Sequence, residues 1–435
     1  MSYKISTFPI QKLAEVVDIQ SGFAFKSEQF LSDETQIPLV KGENLQQGYI
    51  NWSTSKYWSK DEYDDLEKYH LIPGDIVLAM DRPWVSAGLK WSYIKDHDPA
   101  SLLVQRVARL RAKKNLTQEY LRVLISSNYF SSYIQPIVTG VNVPHISAKQ
   151  IGDFKAPVPD RGVQIKIAAV LASYDEKIEN NKRRIELLDN LAEELYREWF
   201  IRMRFPNYQD SKFEKGIPLE WDFKKAEYFF SHVKGKSYKS DELTESMEDS
   251  KPFITLKSFN RGGGYRTEGL KRYTGKYREE QLVSEGDVVM AVTDMTQERE
   301  VVGRVARVPK LNQSEAVISL DVIKLVPLQI SKTFLYCFMK YSGFGDYMKA
   351  FANGANVLHL KPDLVTQQKI LMPPTYLREQ FDKVVTPIHK KMNELSSAND
   401  TLEQTKLSLL PRLMSGKLSV ADLDIKYPPC MRESK

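Results

Sequence analysis

The residues able to make or break bonds are few here, and their spacing is wrong for the reactions they suggest. The six histidines (His70, His97, His145, His232, His359, His389) are scattered, and none forms an HxxxH or HExxH pair. The two cysteines, Cys337 and Cys430, form no CxxC, which argues against a disulfide scaffold or a cysteine-rich zinc site. Transfer of a methyl group to an exocyclic amine uses an Asn/Asp-Pro-Pro-aromatic run. The nearest text is MPPTY (Met372 to Tyr376), with Met for the polar residue and Thr for the aromatic, so it reads as a proline stop before a helix. PDRGVQIK (Pro159 to Lys166) is too short for a nuclease carboxylate-lysine pattern, and no GxGxxG or GxxxxGKT phosphate loop is present. The glycines at 262–264 lie among strand-like segments and read as a turn. No catalysis is expected of this chain, and no metal or cofactor site.

The remaining chemistry is binding. A net charge of +6 and a pI near 8.9 permit a polyanionic partner. At 435 residues and 42% apolar content, two or three folded domains are expected rather than disorder. The start has no signal-peptide pattern and no apolar run reaches the ~18 residues of a membrane span, so a soluble, cytoplasmic protein is expected.

The elements that must position any binding residues occur twice. TGVNVPHIS (Thr139 to Ser147) returns as NGANVLHLK (Asn353 to Lys361), 214 residues later. LAEVVDIQSGFAF around Gly22 returns around Gly235 (offset 213), and IPLVKGENL from Ile37 returns as KPFITLKSF from Lys251 (214). The Gly74-Asp75 turn entering DIVLAM returns as Gly286-Asp287 entering DVVMAV (212), and VARL ending at Leu110 returns as VIKL ending at Leu325 (215). The chain therefore reads as a tandem duplication. Short β-branched runs broken by Gly and Pro, followed by segments of helical spacing (119–134 and 334–348), make each half a mixed α+β domain.

Each half closes on a long amphipathic helix. Ile167, Leu171, Tyr174, Ile178, Asn181, Ile185, Leu188, Ala192, Leu195 and Trp199 keep a 4-3 spacing. The second series is Phe381, Val385, Ile388, Met392, Leu395, Asn399, Leu402, Lys406, Leu409 and Leu413. Such a seam with a charged exterior is a coiled-coil signature, with Pro387 and Pro411 expected to disturb the second helix. An antiparallel register sets Ile167 against Leu413, Trp199 against Phe381 and Asn181 against Asn399, so two buried amides satisfy each other. A parallel, repeat-matched register would face Asn181 with Leu395. The 33-residue seam spans about 48 Å, enough to hold two modules one turn of B-DNA apart, ~34–36 Å.

The repeated unit, the Gly-Asp strand block, the G-x-N-V-x-H phrase, the helix VQIKIAAVLASYDEKIENNKRRIELLDNLAEELYREWF and the closing LLPRLMSGKL together resemble the specificity subunit of type I restriction-modification enzymes, over nearly the whole chain and in order. The resemblance implies two tandem-duplicated α+β DNA target-recognition domains, joined by two long helices that form an antiparallel coiled coil. The boundaries expected are 1–160 (first recognition domain), 161–204 (long helix), 205–221 (linker), 222–374 (second recognition domain), 375–414 (long helix) and 415–435 (tail). Each domain would read half of a split, asymmetric double-stranded target, and the coiled coil would set the spacer. The partners implied are two methyltransferase subunits and, in the full complex, motor-nuclease subunits. S-adenosylmethionine, ATP and Mg would be held by those partners. A non-enzymatic coiled-coil DNA-binding regulator or scaffold of the same fold is the alternative reading.

Two modules reading different sequences should differ where they read and agree where they share a job. The repeated phrase, with Gly140, Asn142 and His145 in one half and Gly354, Asn356 and His359 in the other, barely changes. It fits a structural or phosphate-contacting task better than base reading. Base discrimination is expected where the halves diverge. In the first half these positions are Arg82, Trp84 and Lys90 of MDRPWVSAGLKW. In the second they are Arg261 and Arg266 of SFNRGGGYRTEGLKRY, with Thr293 and Arg299 of VTDMTQEREVVGR.

Overall fold

A computed structural model describes residues 6–85, 88–138, 144–296, 298–311, 313 and 315–431, without the side chains of Val138, Glu268 and Cys430. The chain divides into two units, residues 1–178 with 401–435, and residues 179–400.

In the first unit β1 (Val17–Ser21), β2 (Ile37–Val40), β3 (Ile76–Ala79), β4 (Trp91–Tyr93), β5 (Ser101–Leu103) and β6 (Val107–Ala112) are followed by α1 (Gln118–Ser126), α2 (Asn128–Val138), α3 (Ala148–Gly152) and β7 (Lys155–Pro157). One antiparallel sheet has the order β1-β6-β3-β4, and a second is built on the parallel pair of β2 and β5. The long helix α4 (Arg161–Tyr196) ends in a turn of π-helix, Arg197–Ile201.

The second unit repeats this order as β8 (Phe230–Lys234), β9 (Lys251–Ile254), β10 (Val288–Ala291), β11 (Thr293–Asp294), β12 (Val305–Arg307), β13 (Glu315–Ile318) and β14 (Val322–Pro327). Then come α5 (Lys332–Tyr341), α6 (Phe344–Lys349), β15 (Leu358–His359), α7 (Pro362–Gln367), β16 (Lys369–Met372) and the long helix α8 (Thr375–Met414). Its antiparallel sheet is β8-β14-β10-β12, and β9 pairs parallel with β13. The antiparallel sheet and the parallel pair repeat those of the first unit, while the sheet built on the parallel pair has five strands here against four there.

The sequence identities behind the repeat have local causes. Gly74 (φ +88°) and Gly286 (φ +84°) make the left-handed turn into the buried strands β3 and β10. The following carboxylates close that turn, Asp75 accepting from the amide of Ile72 and Asp287 from that of Ser284, both at 2.9 Å. At Gly22 and Gly235 an added Cβ would sit 2.2 and 2.0 Å from the carbonyl oxygens of Val104 and Ser319. Two backbones pass there too closely for any side chain. The segments 119–134 and 334–348, read as having helical spacing, are helical, each as two helices that meet at Ser127 and at Ser342-Gly343, where Gly343 has φ +81°. MPPTY is a strand end followed by the start of α8, and α8 continues through Pro387 and Pro411 without interruption.

The helix contacts within each unit follow one register. In the second unit Trp199 stacks edge-on at 5.7 Å from Phe381, and Asn181 Nδ2 donates to Asn399 Oδ1 at 2.8 Å, so α4 and α8 run in opposite directions there. In the first unit Lys406 pairs with Asp175, and Ile167 and Leu171 share a core with Leu410 and Leu413. Leu171, Ile178, Val385 and Leu395 are buried; Ile185, Leu188, Leu195, Met392, Leu402 and Leu409 are half-buried. The amide pair differs from expectation in one respect: it makes one mutual bond, and Asn181 Oδ1 is buried without a partner.

The strand-to-helix contact inside each unit uses a cation–π pair. In the first unit the Arg122 guanidinium lies 4.7 Å from the Tyr93 ring; in the second, Arg307 lies 5.9 Å from Tyr336. Position 93 corresponds to 307 and 122 to 336, so the partners have exchanged places. Arg307 also donates to Asn393 Oδ1 (2.9 Å) and to the His389 carbonyl (3.3 Å), and Lys340 and Tyr341 both bind Asp189.

Candidate nucleic-acid interface

The sequence-predicted binding residues lie where the buried strand of the Gly-Asp block leaves its sheet, and the geometry is the same in both units. In the first, the amide of Met80 donates to the Arg106 carbonyl and the amide of Ile146 to the Met80 carbonyl, both at 2.8 Å. Asp81 bridges to His145, and the amide of Arg82 donates to the Pro144 carbonyl at 2.7 Å. In the second, the amide of Val292 donates to the Asp321 carbonyl (2.9 Å) and that of Leu360 to the Val292 carbonyl (2.8 Å), while Thr293 pairs with His359. The histidine of the repeated phrase therefore stands opposite the same strand position twice. Gly354 explains its own identity: at φ +152° an added Cβ would meet the Val357 carbonyl oxygen at 1.9 Å. Gly140 and Asn142 lie outside the described residues.

The side chains on this shared frame differ. In the first unit the Asp81 carboxylate forms an ion pair with Arg106 Nη1 at 3.0 Å and pairs with His145 Nδ1. Arg106 is 68% exposed at its side chain, and Arg82 and Trp84 are also exposed. Arg82 and Arg106 both hold left-handed backbones, φ +42° and +68°. Lys90 is half-buried and donates to the Gly42 carbonyl at 3.0 Å; burial, with the charge of Arg82, lowers its pKa from the ordinary lysine value.

In the second unit Asp294 faces inward. Its carboxylate accepts from the amides of Thr296 (2.9 Å), Val301 (2.6 Å) and Val302 (2.9 Å). Burial raises that carboxyl, but these amide donors outweigh it and leave the pKa below the usual range. Asp294 thus ties Thr296 to Val301 and Val302. Between these residues Arg299 (φ +54°) donates to the Lys349 carbonyl at 3.2 Å. Arg261 pairs with Glu300 at 3.1 Å beside the glycine turn, where residues 262–264 all have positive φ. Arg266, Asn356 and His359 are exposed.

Thr293 is a correction. It is 3% exposed, with its strand locked to His359, and offers no surface to a base. Sequence reasoning also missed two residues. Arg106 entered only beside the VARL repeat marker, and Asp294 only as part of a divergent loop; a left-handed arginine and an inward carboxylate leave no mark in spacing.

Each unit also carries an apolar groove where its domain meets its long helix. The first (about 630 Å³) is lined by Tyr129, Tyr133, Lys155 and Leu410, the second (about 410 Å³) by Gly343, Tyr347, Lys369 and Tyr196. These lining residues coincide under the 214-residue shift. Among the described residues no group of three or more His, Cys, Asp or Glu is placed to hold a metal ion, and no helix is long and apolar enough to cross a membrane.

Residues 6–190 match the family described as the type I restriction modification DNA specificity domain. The chain is 26% identical over 317 residues to the type I restriction enzyme MjaIX specificity subunit of Methanocaldococcus jannaschii, covering 72% of this chain and 71% of that one. It is 32% identical over 169 residues to the EcoAI specificity subunit of Escherichia coli, covering 39% of this chain and 28% of that one. In fold it is similar to the type I restriction-modification S subunit from M. genitalium, with a TM-score of 0.55 at 16% identity over 94% of this chain and 97% of that one.

Proposed function

We propose that this chain, which belongs to the DNA-specificity family of type I restriction-modification enzymes, recognises a bipartite duplex with one α+β unit per half-site. The observation that carries the reading is the duplicated frame: one backbone, one set of hydrogen bonds, and different side chains at its rim. A protein that reads two unlike half-sites needs two copies of one scaffold and divergence at the reading positions. The comparisons favour this over a free-standing regulator or scaffold.

In this proposal the opposed segments of α4 and α8 form an antiparallel coiled coil whose length sets the spacer. The 36 and 40 residues of these helices correspond to about 54 and 60 Å. The amide pair Asn181–Asn399 fixes the register. Two copies of one methyltransferase subunit dock at the paired grooves, one copy each, because the groove is repeated at equivalent positions. Those subunits extrude and methylate the adenine and hold S-adenosylmethionine; motor-nuclease subunits with ATP and Mg complete the assembly.

Methylation mapping of the source cell's DNA tests the whole. The expected result is a split, asymmetric motif. Exchanging residues 1–160 for those of a relative changes one half of it and leaves the other intact. Deleting one matched heptad from both helices shortens the spacer by about 3 base pairs, since ~10 Å of helix is lost. A motif changed in both halves by the exchange rejects modular reading, and an unchanged spacer rejects the ruler.

A further inference from the structure

The two units share a frame but not its charges. The bonds Met80 N–H to Arg106 O and Val292 N–H to Asp321 O make Arg106 and Asp321 equivalent, and by the same count Arg82 is equivalent to Asp294. The first unit thus sets two guanidinium groups where the second sets two carboxylates. Packing does not require this: the hydrogen-bonded frame is shared, and the Arg106 side chain is largely in solvent. A scaffold that keeps its hydrogen bonds while reversing charge at two rim positions is doing something different there in its two copies.

The backbone at these arginines adds a second, independent observation. Arg82 (φ +42°) and Arg106 (φ +68°) occupy the left-handed region that favours glycine and strains any other residue. The Asp321 and Asp294 positions do not have positive φ. Glycine would relieve the strain, so the side chain must be what the position retains. Arg106 is also aimed. Its Nη1 forms an ion pair with Asp81 at 3.0 Å, and Asp81 is itself bound to His145 of the repeated phrase, so a guanidinium that is 68% exposed at its side chain is held with reduced freedom. A preorganised fork suits the two acceptors of a guanine edge, whereas a phosphate is served as well by a mobile lysine.

We propose that Arg106 is a specificity-determining residue of the first unit, reading a guanine through the donors that Asp81 leaves free, with Asp81 and His145 as positioning residues. This rests on the DNA-reading function above and assigns one base of one half-site to one residue.

The test replaces Arg106 by Gly, which accepts φ +68°, and by Lys, which keeps the charge but not the fork. Each variant goes into the source cell's chromosome for methylation mapping. Each purified full chain is also selected against a random duplex pool and followed by thermal melting. The expected result for Arg106→Gly is a melting point no lower than wild type. One G·C pair of the first unit's half-site becomes degenerate, with discrimination at that pair falling about tenfold or more, and the other half and the spacer are unchanged. Arg106→Lys shows the same degeneracy. Loss of affinity equal across all sequences, with a salt slope smaller by about one and rescue by Lys, identifies a phosphate contact and overturns the proposal. So does an unchanged motif. A wild-type genome with no split motif would instead reject the DNA-reading function itself, whatever the variants do.

Discussion

The two units are a natural experiment in which one fold was given two sets of side chains. Where both copies kept a glycine at these turns and crossings, a backbone constraint accounts for it: Gly22 and Gly235 at close crossings, Gly74 and Gly286 in left-handed turns. Where the copies differ, two kinds of difference can be told apart. Some preserve an interaction with exchanged parts, as in the Tyr93–Arg122 and Tyr336–Arg307 pairs. Others abandon it, as where the first unit has Arg82 and Arg106 and the second has Asp294 and Asp321 at the equivalent positions. The first kind belongs to stability and, in the proposal above, the second to reading, and the distinction needs the structure because both are plain mismatches in sequence.

The comparison breaks most visibly at the close crossings. Gly22→Ala and Gly235→Ala each place a methyl about 2 Å from a backbone oxygen that cannot yield. Each is expected to destabilise its own unit by more than about 4 kcal/mol, the range reserved for such clashes. Hydrogen exchange checks this: Gly22→Ala should expose β1 and β6 while β8 and β14 stay protected. Tolerance in one copy alone would mean the crossings are not equivalent.

A second difference gives the units unlike responses to acid. Asp175 of the first unit is equivalent to His389 of the second, which is 2% exposed beside Arg307, Lys340, Asp189, Cys337 and Tyr336. Burial, then the charge of Arg307, pushes its imidazole down to about 3. The unfolded chain takes up that proton near pH 6.5 and the folded unit does not. The stability is therefore complete above about pH 6.5 and is lost as pH falls toward 3, by up to ~4 kcal/mol. The second unit should lose protection between pH 6 and 4 more steeply than the first, and His389→Leu should remove the difference. Equal slopes in wild type and variant would reject it.

Much of the fold was legible because its causes are periodic. The 4-3 seam, its register and the facing asparagines follow from helical arithmetic, and the duplication follows from blocks at one offset. Chain breaks at Ser127 and Ser342 were harder, since the apolar spacing runs through them. The site was legible as a region and not as residues. Thr293 has the composition of a base reader yet lies inside a β-bridge, and Arg106 sat next to a motif valued only as a repeat marker. A turn of one residue decides which side chain meets solvent, and no spacing rule records it.

The asparagine pair sharpens the helix comparison at smaller magnitude. Asn181 Oδ1 is buried without a partner, so the pair holds register at some loss of stability. Asn181→Leu alone removes the donor to the buried Asn399 Oδ1 and should cost about 1–3 kcal/mol. The double change to Leu should recover that loss or exceed wild-type stability while loosening the register, by analogy with buried asparagines in other seams. A double-mutant melting series decides it; additive losses would show that the two amides do not interact.

The exchanged cation–π pairs give the smallest effect and the most specific test of equivalence. If positions 93 and 122 present the same geometry as 307 and 336, the first unit should accept the second unit's arrangement. Tyr93→Arg places two arginines together, and Arg122→Tyr places two tyrosines; each should cost about 1 kcal/mol, the range of a partly exposed pair. Tyr93→Arg with Arg122→Tyr rebuilds the stack with its partners exchanged, and most of the loss should return, a coupling of about 1 kcal/mol. The second unit is the stricter case, because Arg307 there also binds Asn393 and the His389 carbonyl of α8. Its exchange should fail to recover, since a tyrosine at 307 cannot make both bonds and would leave Asn393 without that donor. Recovery in the first unit without recovery in the second would show that the pair is interchangeable only until a long helix comes to depend on one of its members.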